Sequence, residues 1–259
     1  MGTWLKSFCT AMSTYSVVPM PQLGWDERSL AYSFCFLPVV GVVIGLLEWA
    51  WLRLCWYVGF NLIFKSAVCV LIPLLITGGI HMDGFCDTMD ALCAHKNRER
   101  SLEIMKDSHS GAFAIIFCGA YLVYDFGLMS EIVSSAAVFC TVFVLSRAIS
   151  VLSVTGKKNA RGSGMLAQFS APLHVRTVRV WAWCWIACCA LLMDSCDLYA
   201  GTGALIASIV AWHIYHFVAF KRFGGITGDT SGFFVQILEI AMFTGMAVGQ
   251  AVEIVTYKL

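Results

Sequence analysis

The chain has 259 residues, of which 59% are apolar and only 13% are charged. Soluble domains average about 45–50% apolar and about 25% charged residues, so this composition excludes a disordered chain, a secreted disulfide scaffold and an ordinary cytosolic enzyme, and it indicates a polytopic membrane protein. The net charge of +1 leaves no basic excess for neutralising phosphates, which argues against nucleic acid as a partner.

The opening segment predicts an amphipathic helix at the membrane interface. Its apolar residues recur at helical spacing, at Trp4, Leu5, Phe8, Met12 and Tyr15, and the pattern stops before two prolines at 19 and 21. The segment is too polar to span a bilayer and lacks the cleavage pattern of a signal peptide. We therefore expect it to lie on the membrane.

Seven apolar runs follow, each about long enough to cross roughly 30 Å of hydrocarbon as a helix. They cover residues 31–52, 63–80, 111–130, 132–155, 179–196, 201–220 and 232–252. The first two are separated only by residues 53–60 and are open to a different division. The sequence thus predicts an all-α, polytopic integral membrane protein with about seven transmembrane helices and a single domain over 1–259.

The distribution of basic residues predicts the orientation of these spans. With seven spans, only Arg53, Lys65 and Lys258 fall on one side, and Arg147 lies within a span. The other side holds the remaining thirteen: Lys6, Arg28, Lys96, Arg98, Arg100, Lys106, Lys157, Lys158, Arg161, Arg176, Arg179, Lys221 and Arg222. The positive-inside rule makes this side cytoplasmic. We expect a plasma-membrane (inner-membrane) protein whose N-terminus and loops 81–110, 156–178 and 221–231 face the cytoplasm.

The most informative pattern lies where the second span ends. On a helix, Asp83, Asp87 and Asp90 stand at i, i+4 and i+7, within roughly 60° of one another. Three carboxylates on one face repel each other unless a cation lies among them, and hard oxygen ligands select Mg²⁺ or Mn²⁺. A solvated acidic helix face is the alternative. The preceding Gly78 and Gly79 favour a close approach of backbones and hence a built site.

Two further polar clusters fall on the same side. In the first, Asp107 ends a charged helix beside Lys106, which is suited to bind a phosphate as a point charge. The second is a glycine-rich turn over 223–232 around Asp229, typical of an anion cradle at a helix start. Its candidate binding residues are Lys221, Arg222, Thr227 and Gly228. Any tight turn between helices also uses glycine, so this cluster is weaker evidence than the aspartates.

Two polar residues outside these clusters are also candidates. Arg147 lies in the cytoplasmic half of its span, where it faces a phosphate or an aspartate. His81 precedes Asp83 by two residues and is a candidate base.

The twelve cysteines form no CxxC pair and lie mostly inside apolar runs, which predicts buried packing.

The segment Thr77-Gly-Gly-Ile-His-Met-Asp-Gly-Phe-Cys-Asp-Thr-Met-Asp90 resembles the His-x-Asp-Gly-x-x-Asp-x-x-Asp signature of the cobalamin synthase family. The resemblance continues through residues 102–108 and 225–230, with support from Pro19 and Pro21, residues 36–41 and Ser146-Arg147. These blocks run in family order over nearly the whole chain. The chain departs from the family where Cys86 stands for alanine and Ala91 for glycine, which leaves the carboxylates intact.

The resemblance implies an enzyme that joins adenosylcobinamide-GDP to α-ribazole, or to α-ribazole 5′-phosphate, and releases GMP. It implies a Mg²⁺ ion, with Mn²⁺ as an alternative, on Asp83, Asp87 and Asp90, because a diphosphate electrophile needs its charge neutralised. Asp83 is thereby catalytic, and Asp107, Asp229 or His81 accepts the proton of the attacking hydroxyl. Lys106, Arg147, Lys221 and Arg222 are the candidates for binding the phosphates. The oligomeric state stays open, a homo-oligomer included.

Two other functions use similar residues. A CDP-alcohol phosphotransferase of phospholipid synthesis also uses aspartates to act on a diphosphate substrate. Its signature, however, requires Ala-Arg where Asp87-Thr88 stand. A cation transporter favours charges near the bilayer midplane and helices broken in both halves. The crowding of acids at the cytoplasmic edge favours the enzyme.

Overall fold

The computed structural model describes residues 2–21, 23–24, 26–107, 109–133 and 135–258. In chain order, its helices are α1 (Thr3–Tyr15), α2 (Glu27–Leu30), a 3₁₀ turn (Ser33–Phe36), α3 (Leu37–Val58), α4 (Leu62–Thr77), α5 (Ile80–Cys93), α6 (Arg98–Ile104), α7 (Ala112–Glu131), α8 (Ala136–Val154), α9 (Met165–Ser170), α10 (Val175–Cys196), α11 (Leu198–Val218), a π-helical segment (Ala219–Phe223) and α12 (Gly228–Lys258). These described elements are all helical, as the sequence predicts.

Six helical segments are long and apolar enough to cross a membrane within the described ranges, and α4 with α5 adds a bent seventh. The prediction of about seven spans in a multi-pass membrane protein is confirmed. The first break differs from the expectation, because α3 continues past Arg53 to Val58. The Arg53 guanidinium lies 5.8 Å from the rings of both Trp49 and Trp56, so its long side chain reaches outward without ending the helix.

A right-angle turn separates α4 from α5. The two helices are bent by 95°, and the turn consists of Gly78 and Gly79, whose φ angles of +61° and +77° are left-handed. Residues with a Cβ rarely adopt this conformation, which explains why both positions are glycine. The turn directs α5 across the end of the bundle instead of through it.

Small residues let the long helices pack in backbone contact. Gly41 of α3 lies against the backbone of Phe143 in α8, and Gly203 of α11 lies against Gly245 of α12. Helix α8 passes through the centre and buries residues on nearly all its faces. The result is a tight bundle around α8, with apolar side chains on its outer surface for lipid.

The basic loops gather at one end of this bundle. Backbone hydrogen bonds of 2.9 Å join Ala160 to Ile226 and Ile226 to Lys158, which ties the loop after α8 to the turn before α12. At the same end, Val17 donates a backbone hydrogen bond of 2.8 Å to Ile76, near the end of α4. The segments that the positive-inside rule assigns to one side therefore lie together.

Helix α1 is amphipathic and too short to span. Its 13 residues correspond to about 20 Å of helix. Trp4 stacks on Tyr32 with ring centroids 4.7 Å apart, whereas Ala11 and Met12 are buried against the bundle. This packing agrees with the predicted interfacial helix.

Candidate active site

A cavity of about 190 Å³ opens at the end of the bundle where the basic loops meet. Its polar wall contains His81, Asp83, Ser150, Asp229 and Ser231. Its apolar wall contains Tyr15, Phe34, Leu37, Ile80, Val154, Met165, Leu166 and Val235. A lining that combines carboxylates with apolar side chains suits a ligand that is itself part polar and part apolar.

Close backbone contact between α5 and α12 brings the acidic residues together. A Cβ built on Gly232 would stand 3.2 Å from the carbonyl oxygen of His81, and one built on Gly84 would stand still closer, 2.7 Å from the carbonyl oxygen of Asp229. Both glycines are needed for this approach. As a result Asp83 and Asp229, which are far apart in sequence, line the same cavity.

The predicted acidic helix forms, and its carboxylates act on one another. Asp83 is exposed and Asp87 is half-buried on α5. The Asp87 carboxylate is repelled by the charges of Asp83, Asp229 and Asp90 and is attracted by Arg161. Such a concentration of negative charge favours a bound cation.

Asp90 makes contacts that its place on the acidic face did not predict. Its two carboxylate oxygens accept hydrogen bonds from the backbone N–H groups of Gly111 (2.6 Å) and Ala114 (2.9 Å) at the start of α7. A carboxylate is stabilised there because the first N–H groups of a helix lack partners within the helix. Asp90 is buried and each of its oxygens accepts one of these hydrogen bonds, while its charge still acts on Asp87. Its role as an ion ligand stays a prediction.

Arg161 is the basic residue that the structure places beside the acidic cluster. Its Nη1 lies 2.7 Å from Oδ2 of Asp229, and the two side chains are 14% and 24% exposed. No specific pattern in the sequence marks this residue, which is one of thirteen basic residues on its side. Its position depends on the loop after α8, which hydrogen-bonds to the turn before α12.

The predicted phosphate ligand Arg147 lies elsewhere. Its guanidinium is fully buried and pairs with the carboxylate of Glu239, while Nη1 also contacts Oγ of Ser146 at 2.9 Å. A buried charge requires such a partner, because desolvation is costly. Arg147 therefore joins α8 to α12 within the core instead of facing a substrate.

The two basic residues before the glycine-rich turn also point away from the cavity. Lys221 is exposed, with its Nζ 5.0 Å from the ring centroid of Phe217. Arg222 donates a hydrogen bond of 3.2 Å to the carbonyl oxygen of Leu92, near the end of α5. Arg222 thus supports the end of the acidic helix.

Asp107 and Lys106 lie after α6 and do not line the cavity. The Asp107 carboxylate accepts hydrogen bonds from the backbone N–H (3.0 Å) and the ring (2.9 Å) of His109. The backbone hydrogen bond, followed by the contact with the His109 ring, lowers the pKa of Asp107. A carboxylate with a lowered pKa is a weaker base, so this geometry disfavours Asp107 as the proton acceptor.

The glycine-rich turn is used largely to begin α12. The Thr227 hydroxyl accepts from the N–H of Thr230 at 3.1 Å, and the Thr227 N–H donates to the Thr230 hydroxyl at 2.9 Å. This reciprocal cap engages the buried Thr227 side chain in holding the helix start. Gly228 lines the cavity, as expected for a substrate-binding position.

His81 lines the cavity, where a proton acceptor must lie to reach a substrate. Its side chain is buried, its ring stacks near Tyr15 with centroids 6.3 Å apart, and its Nδ1 has no hydrogen-bond partner among the described residues. The arrangement leaves one ring nitrogen unengaged beside Asp83.

The carboxylates match a hard divalent cation by their donor chemistry, although they do not form a closed cage. Within the described ranges, no three His, Cys, Asp or Glu side chains converge on one point. Mg²⁺ commonly takes one or two protein carboxylates and completes its shell with phosphate oxygens and water. Asp83 and Asp87, one helical turn apart, fit that arrangement.

Comparison with known proteins gives the same assignment as the sequence motifs. The family model for cobalamin-5-phosphate synthase matches residues 7–247. The adenosylcobinamide-GDP ribazoletransferase of Lachnoclostridium phytofermentans is 36% identical over 98% of this chain and 97% of its own. Proteins of the same name from Listeria monocytogenes and Clostridium botulinum are 30% and 28% identical, over 88% and 93% of this chain and 92% and 96% of their own. No solved structure matches.

The matches extend from α1 to α12 and include every element that lines the cavity. The chain therefore belongs to the cobalamin-5-phosphate synthase family.

Proposed function

We propose that this chain is a membrane-embedded transferase that joins adenosylcobinamide-GDP to α-ribazole or α-ribazole 5′-phosphate and releases GMP. One structural observation carries the proposal. Asp83 of α5 and Asp229 of α12 share a cavity at the polar end of the bundle, and apolar side chains form much of the rest of its lining. Curated relatives that cover nearly the whole chain bear the name of this transferase.

The reaction requires an attack by a ribazole hydroxyl on the phosphorus attached to the cobinamide. A new P–O bond forms, the P–O bond to GMP breaks, and the hydroxyl proton leaves. Asp229 accepts this proton, because its carboxylate lines the cavity and belongs to a different element from Asp83 and Asp87. His81 is the alternative acceptor, with its Nδ1 unengaged in the same wall.

Asp83 and Asp87 hold the divalent ion in this proposal. Bound Mg²⁺, or Mn²⁺ in its place, would neutralise charge on the diphosphate and on the departing GMP. Asp90 supports these ligands indirectly, since its hydrogen bonds to Gly111 and Ala114 fix α5 against the start of α7.

The cavity is proposed to face the cytoplasm of the cell that makes the protein. The basic residues concentrate in the loops that surround it, as the positive-inside rule requires for cytoplasmic segments. Nucleotide substrates are cytoplasmic, and the cavity also offers apolar side chains beside its carboxylates. A phosphate reaction at this edge places the charged part of the substrate near the carboxylates and its apolar part near the apolar side chains.

The test is a product assay on the purified, detergent-solubilised chain. Incubation with adenosylcobinamide-GDP, α-ribazole and Mg²⁺ should yield GMP and the joined corrinoid in equal amounts by chromatography, and a chelator should stop both. The same assay with α-ribazole 5′-phosphate determines which acceptor is preferred. Turnover of CDP-diacylglycerol by well-folded protein, with no GMP from the first mixture, would instead assign the chain to phospholipid synthesis.

A further inference from the structure

Arg161 is fixed in place by its own loop. The Asn159 side-chain oxygen accepts from the N–H groups of Arg161 and Gly162, both at 2.9 Å. The neighbouring Ala160 is held to Ile226 by a backbone hydrogen bond of 2.9 Å. The loop therefore directs the Arg161 side chain to the start of α12.

The guanidinium is only partly satisfied in this position. Nη1 contacts Asp229 at 2.7 Å, whereas Nε and Nη2 are buried and have no hydrogen-bond partner in the part of the chain that the structure describes. Apart from this ion pair, Oδ2 of Asp229 has no partner among the described residues. Buried N–H donors without acceptors are unfavourable, so the site has capacity for a further anion.

The chemistry of that anion follows from the shape of the group. A guanidinium presents its N–H donors in a planar fork that matches two oxygens of a phosphate. The other basic candidates have partners elsewhere: Arg147 pairs with Glu239, Lys221 contacts Phe217 and Arg222 donates to the carbonyl of Leu92. Arg147 also has an Nε and an Nη2 without hydrogen-bond partners among the described residues, but its side chain is fully buried, whereas that of Arg161 is 14% exposed. Arg161 contacts Asp229, which lines the cavity, and its charge acts on Asp87, so its guanidinium stands at the edge of the acidic cluster.

We propose that Arg161 binds the diphosphate of the nucleotide substrate and in doing so releases Asp229 to accept the proton. Without substrate, Arg161 pairs with Asp229 and holds its carboxylate. When the diphosphate enters, the guanidinium exchanges the carboxylate for two phosphate oxygens, and Asp229 is freed as the hydroxyl attacks. This inference rests on the proposed transferase function, and it makes Arg161 a coupling element between nucleotide binding and base activation.

The direct test measures GDP binding to the purified full chain by calorimetry, without any turnover. The loss of charge-assisted hydrogen bonds in Arg161→Gln should raise the Kd for GDP roughly ten- to a hundredfold. Arg161→Lys, which keeps the charge but loses the fork, should fall between Arg161→Gln and the wild type. Lys157→Gln removes a charge from the exposed part of the same loop and should bind GDP like the wild type.

Kinetics then separate a binding role from a structural one. Arg161→Gln should raise the KM for adenosylcobinamide-GDP without raising that for ribazole, and added guanidinium should restore part of the activity of Arg161→Ala. Wild-type GDP binding by monodisperse Arg161→Gln would overturn the inference. A wild-type chain that binds GDP through Arg161 but forms no GMP from the two substrates would overturn the transferase function and leave the phosphate site standing.

Discussion

Gly84 of α5 and Asp229 of α12 meet backbone to backbone, and a Cβ added to Gly84 would stand 2.7 Å from the carbonyl oxygen of Asp229. The position of Asp229 in the cavity therefore depends on the absence of a side chain at Gly84 of α5. The close contact also explains why the Asp-Gly pair of the motif is found at this point in the chain.

Gly84→Ala should move α5 away from α12 and lower turnover more than stability. Overpacking of a tight contact costs about 1–3 kcal/mol of unfolding free energy, and a shift of reacting groups reduces rate steeply. The measurement is GMP release together with thermal unfolding in detergent. Gly119→Ala on α7 is the matched control, because a Cβ there meets no atom within 4 Å. Equal effects of the two substitutions would contradict the steric explanation.

Asp83→Asn and Asp87→Asn should each reduce turnover by roughly a hundredfold or more, with folding and membrane insertion intact. Each substitution removes one carboxylate charge from the proposed ion site while keeping the shape of the side chain. The check is GMP release as a function of Mg²⁺ concentration on monodisperse protein. Wild-type turnover by Asp83→Asn would exclude Asp83 as an ion ligand.

Asp90→Ala should act on stability. Loss of the acceptor for the N–H groups of Gly111 and Ala114 should lower the free energy of unfolding by about 1–2 kcal/mol, as for other helix caps. Asp90→Asn keeps one acceptor oxygen and should lose less. Denaturation in detergent measures both variants. If Asp90→Asn kept full stability but required far more Mg²⁺ for activity, Asp90 would be a metal ligand after all.

The buried pair of Arg147 and Glu239 should show strong coupling. Arg147→Met or Glu239→Gln alone leaves one buried polar partner uncompensated, and loss of one partner of such a pair costs about 3–5 kcal/mol. The double variant should be less destabilised than the sum of the single variants. Unfolding of all four proteins in detergent gives the coupling energy. Strictly additive losses would mean that the two side chains act independently.

The sequence predicted the fold closely because membrane spans have a clear physical signature. Long apolar runs and the asymmetry of lysine and arginine gave the number of spans and their common polar end, and the i, i+4, i+7 spacing correctly predicted the helix at Ile80–Cys93. The break after the first span was misplaced, because a single arginine does not end a helix when its side chain can extend outward.

The site was harder to predict, because it depends on contacts between distant segments. No local pattern distinguishes Asp90, which caps α7, from Asp87, which faces the other carboxylates. Likewise, nothing near Arg161 in sequence indicates its contact with Asp229, which lies 68 positions further along the chain. Lys221 and Arg222 are next to the glycine-rich turn in sequence, but they contact the ring of Phe217 and the carbonyl oxygen of Leu92.

The right-angle turn at Gly78-Gly79 has a consequence for membrane depth. A helix of 14 residues is about 21 Å long, and α5 runs at 95° to α4. If α4 crosses the bilayer along its normal, α5 keeps Asp83 and Asp87 at nearly the same depth, one helical turn apart. The two glycines thus set the direction in which the acidic face of α5 extends, and with it the depth of both carboxylates.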